Sequence, residues 1–177
     1  MVDPKVLAAL DRLVGSFVGP DALPAGGAAA VASIAMGTAL GAKVARMSSS
    51  RSKDTEATSA ELESLTKRIT PEFVKDCSAF EELLRAFKTP KEHPERVNRV
   101  RDGWLSATRA SAEVARLADE ADRLLASLSE SVKSDLRGDL QAAHILVQAG
   151  RRIAASNANE NAQHLDSSLA KSVLRHL

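Results

Sequence analysis

The sequence predicts an all-α protein, a helical bundle of about six helices that forms a single domain over residues 1–177. Alanine is abundant, with 31 of 177 residues, and it favours helices more than any other residue. Aromatic residues, which are typical of strands, make up only 3%. Apolar residues make up 44%, which is enough for one hydrophobic core at this length. No segment requires a strand.

The first half of the chain shows clear helix boundaries. Asp3 before Pro4 is typical of a helix N-cap followed by the first helical position, and it predicts a helix to about Val14. Gly19-Pro20 marks a turn in the next loop. A long helix rich in Ala and Gly is predicted from about Gly26 to Met47.

A polar segment, Ser48–Thr58, then breaks the helical pattern, which resumes from Ser59 to Phe87. Thr70-Pro71 interrupts it, either as a kink or as a new helix start with Thr70 as its cap. Pro94 opens a helix to about Ser127.

The last third of the chain is predicted to contain two more helical segments. The polar stretch Ser129–Gly138 is expected to be a loop or a frayed turn. One helix is expected from Asp139 to about Ala155, and a final segment from about Asn157 to Leu177.

Charge and cysteine content exclude several classes of function. Lys and Arg total 24 against 23 Asp and Glu, so the chain lacks the basic surplus that phosphate contacts need. A single Cys cannot form an internal disulfide, which suits a reducing compartment. Met1–Arg12 has no apolar signal core, and the apolar stretch Leu23–Val44 is mostly Ala and Gly. We expect a cytoplasmic protein that binds neither nucleic acid nor membrane.

The sequence does not predict a metal site. Its histidines are His93, His144, His164 and His176, and none forms a His-x-x-x-His pair. Cys77 has no Cys partner nearby, and it is either a nucleophile or a small buried residue.

Several polar residues have two interpretations. Gly26-Gly27 at a helix start could present free N–H groups to an anion, or allow close helix packing. Asp76, among apolar neighbours, is either a proton carrier with a raised pKa or a solvated helix residue. Asn157 and Asn161, four residues apart, could bond a heterocycle or cap a helix.

Three short motifs occur in the order of a known family. Leu23–Ala28 reads L-P-A-G-G-A, where the family has P-G-G-G-S, and an Ala-rich helix follows. Asp76–Phe80 reads D-C-S-A-F and is similar to the family's D-A-E-A-F. Gly138–Gln141 reads G-D-L-Q and is similar to S-D-L-Q. The chain resembles the cyclodeaminase/methenyltetrahydrofolate cyclohydrolase family over roughly Leu13 to Asp166.

Further positions match at the family's spacing. Gly150, Asn157 and Asn161 fall where the family has G…N-x-x-x-N, and Lys91 and Arg99 follow the second motif. The resemblance implies an all-helical homodimer with its cleft near the subunit interface. It implies a tetrahydrofolate derivative as substrate and no prosthetic group. The reaction would close 5-formiminotetrahydrofolate with loss of ammonia, or open 5,10-methenyltetrahydrofolate with water.

The resemblance also implies roles for individual residues. Asp76 would be the general acid/base, and Asp139 would position the substrate or assist proton transfer. Asn157 and Asn161 would bond the pterin edge through their amide groups. Gly26 and Gly27, at the helix start, would let the substrate approach. Lys91 and Arg99 would attract the folate carboxylates.

Departures from the family pattern keep two alternatives open. Ala25, Ala28 and Gly138 replace a Gly and two Ser of the family's motifs. The protein could act on another imine or cyclic C–N substrate in a specialised pathway, or serve as a non-catalytic helical interaction subunit.

Overall fold

The computed structural model describes residues 3–49, 53–175 and 177, and this part of the chain is all-α, as predicted. It contains seven α-helices, one short 3-10 helix at Ser134–Leu136, and no strand. The helices are α1 (Pro4–Val18), α2 (Gly26–Ser48), α3 (Lys53–Ile69), α4 (Glu72–Phe87), α5 (Arg96–Ser127), α6 (Arg137–Ala162) and α7 (Ser167–Leu174).

Helix α1 begins as its sequence predicts but ends one turn later. The Asp3 carboxylate accepts a hydrogen bond from the Lys5 backbone N–H at 2.9 Å, and Pro4 occupies the first turn. No residue of α1 is buried. Phe17 meets Phe73 of α4 edge to face, with 6.3 Å between ring centroids.

The Thr70-Pro71 interruption is a new helix start. Helix α3 ends at Ile69 and α4 begins at Glu72, with Pro71 as the residue before it. Helix α3 begins at Lys53, within the polar segment Ser48–Thr58 that was predicted to break the helical pattern. Ser59 of that helix is buried and donates to the carbonyl of Ala42 at 3.0 Å, so part of its polarity is satisfied by α2. Residues 50–52 lie outside the described residues, as does His176.

The predicted separation of the last two helical segments at Asn157 is wrong. Helix α6 runs without a break from Arg137 to Ala162. Asn has a low helix propensity, but Ala154, Ala158 and Ala162 recur every fourth residue and are buried. Packing of this stripe therefore outweighs the local preference.

Helix α2 lies at the centre and packs on α3, α4, α5 and α6. Two glycines allow α2 and α6 to approach closely. A Cβ atom at Gly37 would lie 2.7 Å from the Ala143 carbonyl oxygen, and one at Gly150 would lie 2.7 Å from that of Ala30. The two helices run antiparallel, and this register places Gly26 beside Asn157.

Helix α2 is also long and apolar enough to cross a membrane by length and composition. Twelve of its 23 residues, however, are buried within the bundle. The bundle core therefore accounts for the burial of about half of this helix.

Candidate functional site

A small cleft of about 230 Å³ lies at the end of the bundle where α2 begins. Four helices and the loop before α2 contribute to its walls. Its lining residues are Leu23, Ala25, Gly26, Gly27, Asp76, Phe80, Ala107, Ser111, Asn157, Glu160 and Asn161. Five of the eight residues predicted for the site are therefore brought together: Asp76, Gly26, Gly27, Asn157 and Asn161.

The carboxylate of Asp76 is held directly against the first turn of α2. A Cβ atom on Gly27 would overlap the Asp76 side chain, so only glycine permits this contact. At Gly26 a Cβ atom would meet Asn157 Nδ2 at 3.7 Å, which is an ordinary contact. Gly27 is therefore the residue that admits the carboxylate, and Gly26 lies between it and the amide of α6.

Burial raises the pKa of Asp76 above its usual value, because the cleft removes water from the charged form. The backbone N–H of Ala28 offers a hydrogen bond to the carboxylate and offsets part of this rise. Ala25 precedes α2 without a side-chain cap, so the first N–H groups of the helix remain available. A carboxyl group with a raised pKa holds its proton more readily than an exposed Asp and is suited to pass it on.

Cys77 neighbours this carboxylate along α4 and is half-buried. Burial raises the pKa of its thiol, and the nearby charge of Asp76 raises it further. This environment disfavours the thiolate, so the structure supports the small-residue interpretation of Cys77 over the nucleophile.

Two amide side chains face Asp76 from α6. Asn157 and Asn161 are half-buried, one helical turn apart, and neither has a hydrogen-bond partner among the described residues. Asn159, which points elsewhere, instead donates to the Ala155 carbonyl at 2.8 Å. Unpartnered amides in a cleft leave donors and acceptors free for a ligand.

Six of the eleven lining residues were not predicted as site residues, and two of them, Leu23 and Ala25, lie in the loop before α2. Phe80 lies one turn after Asp76 on α4, and Ala107 and Ser111 share a face of α5. Glu160 lies at the rim and accepts from the Ser156 hydroxyl at 3.0 Å. The spacing of Phe80 from Asp76 could have indicated that Phe80 lies at the site. Single Ser, Ala and Glu residues in helices give no comparable indication.

An aromatic pair lies one turn beyond the cleft. Trp104 of α5 stacks on His164 at 3.9 Å, and Phe87 meets the same indole edge to face at 5.9 Å. Helices α5 and α6 run antiparallel, so Trp104 lies about one turn before Ala107 and His164 about one turn after Asn161. It forms a flat, partly apolar surface next to the cleft.

Three predicted site residues lie apart from the cleft in this chain. Asp139 is exposed in the first turn of α6, 18 residues or roughly 27 Å of helix before Asn157. Arg99 pairs with Glu95 at 2.7 Å, roughly 18 Å of helix from Ser111. Lys91 is exposed in the loop between α4 and α5. Their predicted roles stay predictions, and no side chain lining the cleft among the described residues is Lys, Arg or His.

Metal ligands are not clustered in the described part of the chain, where no group of three His, Cys, Asp or Glu side chains could hold an ion. His144 instead pairs with Asp122 at 2.9 Å between α5 and α6.

The fold and the cleft define a helical-bundle protein with a half-buried carboxylate, Asp76, opposed by two amides. A sequence model of the formiminotransferase-cyclodeaminase family matches residues 9–177, and the chain belongs to this family. Among solved structures, formiminotetrahydrofolate cyclodeaminase from Thermotoga maritima has the same fold, with a TM-score of 0.81 at 20% identity. The match covers 98% of this chain and 85% of that chain. No match was found among curated proteins.

Proposed function

We propose that the protein acts on the one-carbon group of a tetrahydrofolate, as a formiminotetrahydrofolate cyclodeaminase or a methenyltetrahydrofolate cyclohydrolase. The observation that carries this proposal is the Asp76 carboxylate, with its raised pKa, facing unpartnered amides in one cleft. Family membership and the shared fold support it.

Both reactions pass through a tetrahedral carbon between two nitrogens, and both need one proton moved. In deamination, N10 of the folate attacks the formimino carbon and loses its proton, and Asp76 gives a proton to the amino group that leaves as ammonia. In hydrolysis, Asp76 takes a proton from the attacking water and returns it to N5 as that C–N bond breaks, and the remaining hydroxyl proton passes to solvent as the formyl C=O forms. Asn157 and Asn161 orient the nitrogens, and the free N–H groups of α2 face developing negative charge.

The cleft admits the reacting part of a folate and not the whole molecule. Its volume of about 230 Å³ is below the usual range for a ligand of that size. The pterin ring then extends over the rim, where Trp104 and His164 offer a stacking surface. The glutamate tail lies outside the cleft.

A homodimer completes this proposal, and two apolar surfaces support it. Helix α1 exposes one, and α2 and α6 expose the other at Met36, Ile145 and Ile153. The side chain of Ile153 lies beside Gly26, so the second surface reaches the cleft. The exposed apolar residues of α1 are Val6, Leu7, Leu10, Val14, Phe17 and Val18.

The second candidate is a family member that acts on a different cationic or neutral C–N substrate. The absence of a basic side chain among the described lining residues favours it, because Lys91 and Arg99 lie too far away to hold folate carboxylates in this chain. A non-catalytic subunit is the third, but convergence of Asp76 with both amides on one cleft speaks for chemistry.

The proposal is tested by adding 5-formiminotetrahydrofolate or 5,10-methenyltetrahydrofolate to the purified chain. Formation or loss of the methenyl absorbance identifies deamination or hydrolysis. A folded protein that changes neither compound, and releases no ammonia, would favour the non-folate candidate.

A further inference from the structure

Ser111 has a feature that its helical neighbours lack. It is 3% exposed and lines the cleft, and its hydroxyl has no hydrogen bond to any described residue. Thr108 of the same helix donates to the Trp104 carbonyl and Thr38 of α2 to that of Ile34, both at 2.7 Å. The buried Thr55 hydroxyl of α3 is also unpartnered, but Thr55 does not line the cleft. The Ser111 hydroxyl is not sealed in the core but opens to the cleft, where a ligand can supply the partner that the protein does not.

The packing of α5 shows where this hydroxyl lies. Helices α4 and α5 are antiparallel, with Leu83 against Gly103 and Phe87 against Trp104. The same register continues to Asp76 opposite Ser111. On the other side, Arg151 of α6 pairs with Asp119.

Together with the Trp104–His164 stack, this pairing sets the register of α5 with α6 and places Ser111 opposite Asn157. Ser111 therefore lines the cleft from α5, at the level of Asp76 on α4 and Asn157 on α6.

We propose that Ser111 is a substrate-binding residue, whose hydroxyl hydrogen-bonds the polar atom of the substrate that lies between Asp76 and Asn157. This inference rests on the proposed function for the identity of the substrate. The partner is a nitrogen or oxygen on the one-carbon group, because a hydroxyl both donates and accepts and can follow that atom as it changes protonation. Ser111 then contributes to binding and orientation, while the proton is carried by Asp76.

The test compares Ser111→Ala with the wild-type chain in turnover, in binding of 5-formyltetrahydrofolate as a stable folate analogue, and in thermal unfolding. We expect KM and Kd to rise about tenfold, which corresponds to the loss of one hydrogen bond. The melting temperature is expected to stay close to that of wild type, because the Ser111 hydroxyl makes no hydrogen bond to any described residue. Ser111→Cys, which keeps the size and a weak donor, is expected to be intermediate.

Ser127→Ala is the matched control. Its hydroxyl lies on the same helix, is exposed and donates to the Leu124 carbonyl at 2.8 Å, so its loss should leave KM unchanged. If Ser111→Ala keeps the wild-type KM and Kd while Asp76→Asn is inactive, the role of Ser111 is wrong and the proposed function stands. A lower melting temperature with unchanged binding would show a structural role instead. A wild-type chain that neither binds nor converts a folate overturns both proposals.

Discussion

At the scale of single residues, the site depends on a contact between a glycine and a carboxylate. Gly27 has no side chain, and the Asp76 carboxyl group occupies the space that a Cβ atom would need. The carboxyl group thereby reaches the first turn of α2, where backbone N–H groups lack helical acceptors. Gly27 thus allows a half-buried acid and a helix N-terminus to act on the same atoms.

Gly27→Ala is expected to reduce turnover at least 100-fold, because Asp76 must move away from the reacting atoms. Gly26→Ala, with only an ordinary 3.7 Å contact to Asn157, is expected to cost far less. Steady-state rates of the two variants, with circular dichroism to verify the helices, make the comparison. Equal losses of turnover in the two variants would show that activity does not depend on the contact between Gly27 and Asp76.

The raised pKa of Asp76 also predicts how stability depends on pH. The folded-state pKa lies above the unfolded value, so the folded state binds more protons between the two values. The contribution of Asp76 to stability is therefore full below the unfolded pKa and is lost as pH rises through the folded pKa.

Asp76→Asn, which stays neutral, is expected to melt higher than wild type at neutral pH, and this advantage should shrink at acidic pH. Thermal unfolding of both chains across pH 3–8 measures it, an interval that spans the usual pKa range of Asp. An advantage of the variant that grows towards acidic pH would contradict the assignment.

At the scale of helices, the spacing of small residues decides which elements touch. Gly37 and Gly150 let α2 and α6 come close enough to bring Gly26 beside Asn157. The all-α class, the start of α2 and the break near Pro71 could be predicted, because caps, glycines and prolines are local signals.

The continuity of α6 through Asn157 could not be predicted, because it depends on burial of Ala154 and Ala158 against other helices. The resemblance to the family indicated five cleft residues. Ser111 could not be predicted as a site residue. What distinguishes it is a hydroxyl in the cleft without a hydrogen-bond partner, and only the three-dimensional structure shows this. Lys91 and Arg99 matched by spacing, but the length of α4 and α5 separates them from the cleft.

Gly150→Ala is expected to destabilise the fold by about 1–3 kcal/mol, because its Cβ atom would meet Ile34 Cγ1 at 2.5 Å and a backbone carbonyl at 2.7 Å. Gly138→Ala is the matched control in the same helix, since nothing lies within 4 Å of its Cβ position. It is expected to be neutral or to stabilise by up to about 1 kcal/mol. Urea unfolding of both variants gives the difference, and similar midpoints would argue against close α2–α6 packing.

At the scale of the whole molecule, the unpartnered apolar surfaces predict assembly. Helix α1 buries none of its residues, although its apolar side chains form one face. A second subunit would cover this face and the one formed by Met36, Ile145 and Ile153. It would also stand next to the cleft, where the part of the folate left outside needs contacts.

We expect the purified chain to be a dimer by light scattering, and Leu10→Glu to shift it towards monomer because the charge would enter an apolar interface. Arg12→Glu, on the opposite side of α1, is the control and should remain dimeric. A wild-type monomer at micromolar concentration would contradict the predicted assembly.

In the proposed function, Asp76 carries the proton in a reaction at a folate C–N centre. The most direct test is the turnover of 5-formimino- and 5,10-methenyltetrahydrofolate by Asp76→Asn and wild type at neutral pH. Wild type is expected to convert one of the two, and the variant is expected to lose at least 100-fold in kcat while keeping its helices and melting no lower than wild type. An Asp76→Asn chain with the full wild-type rate would contradict it.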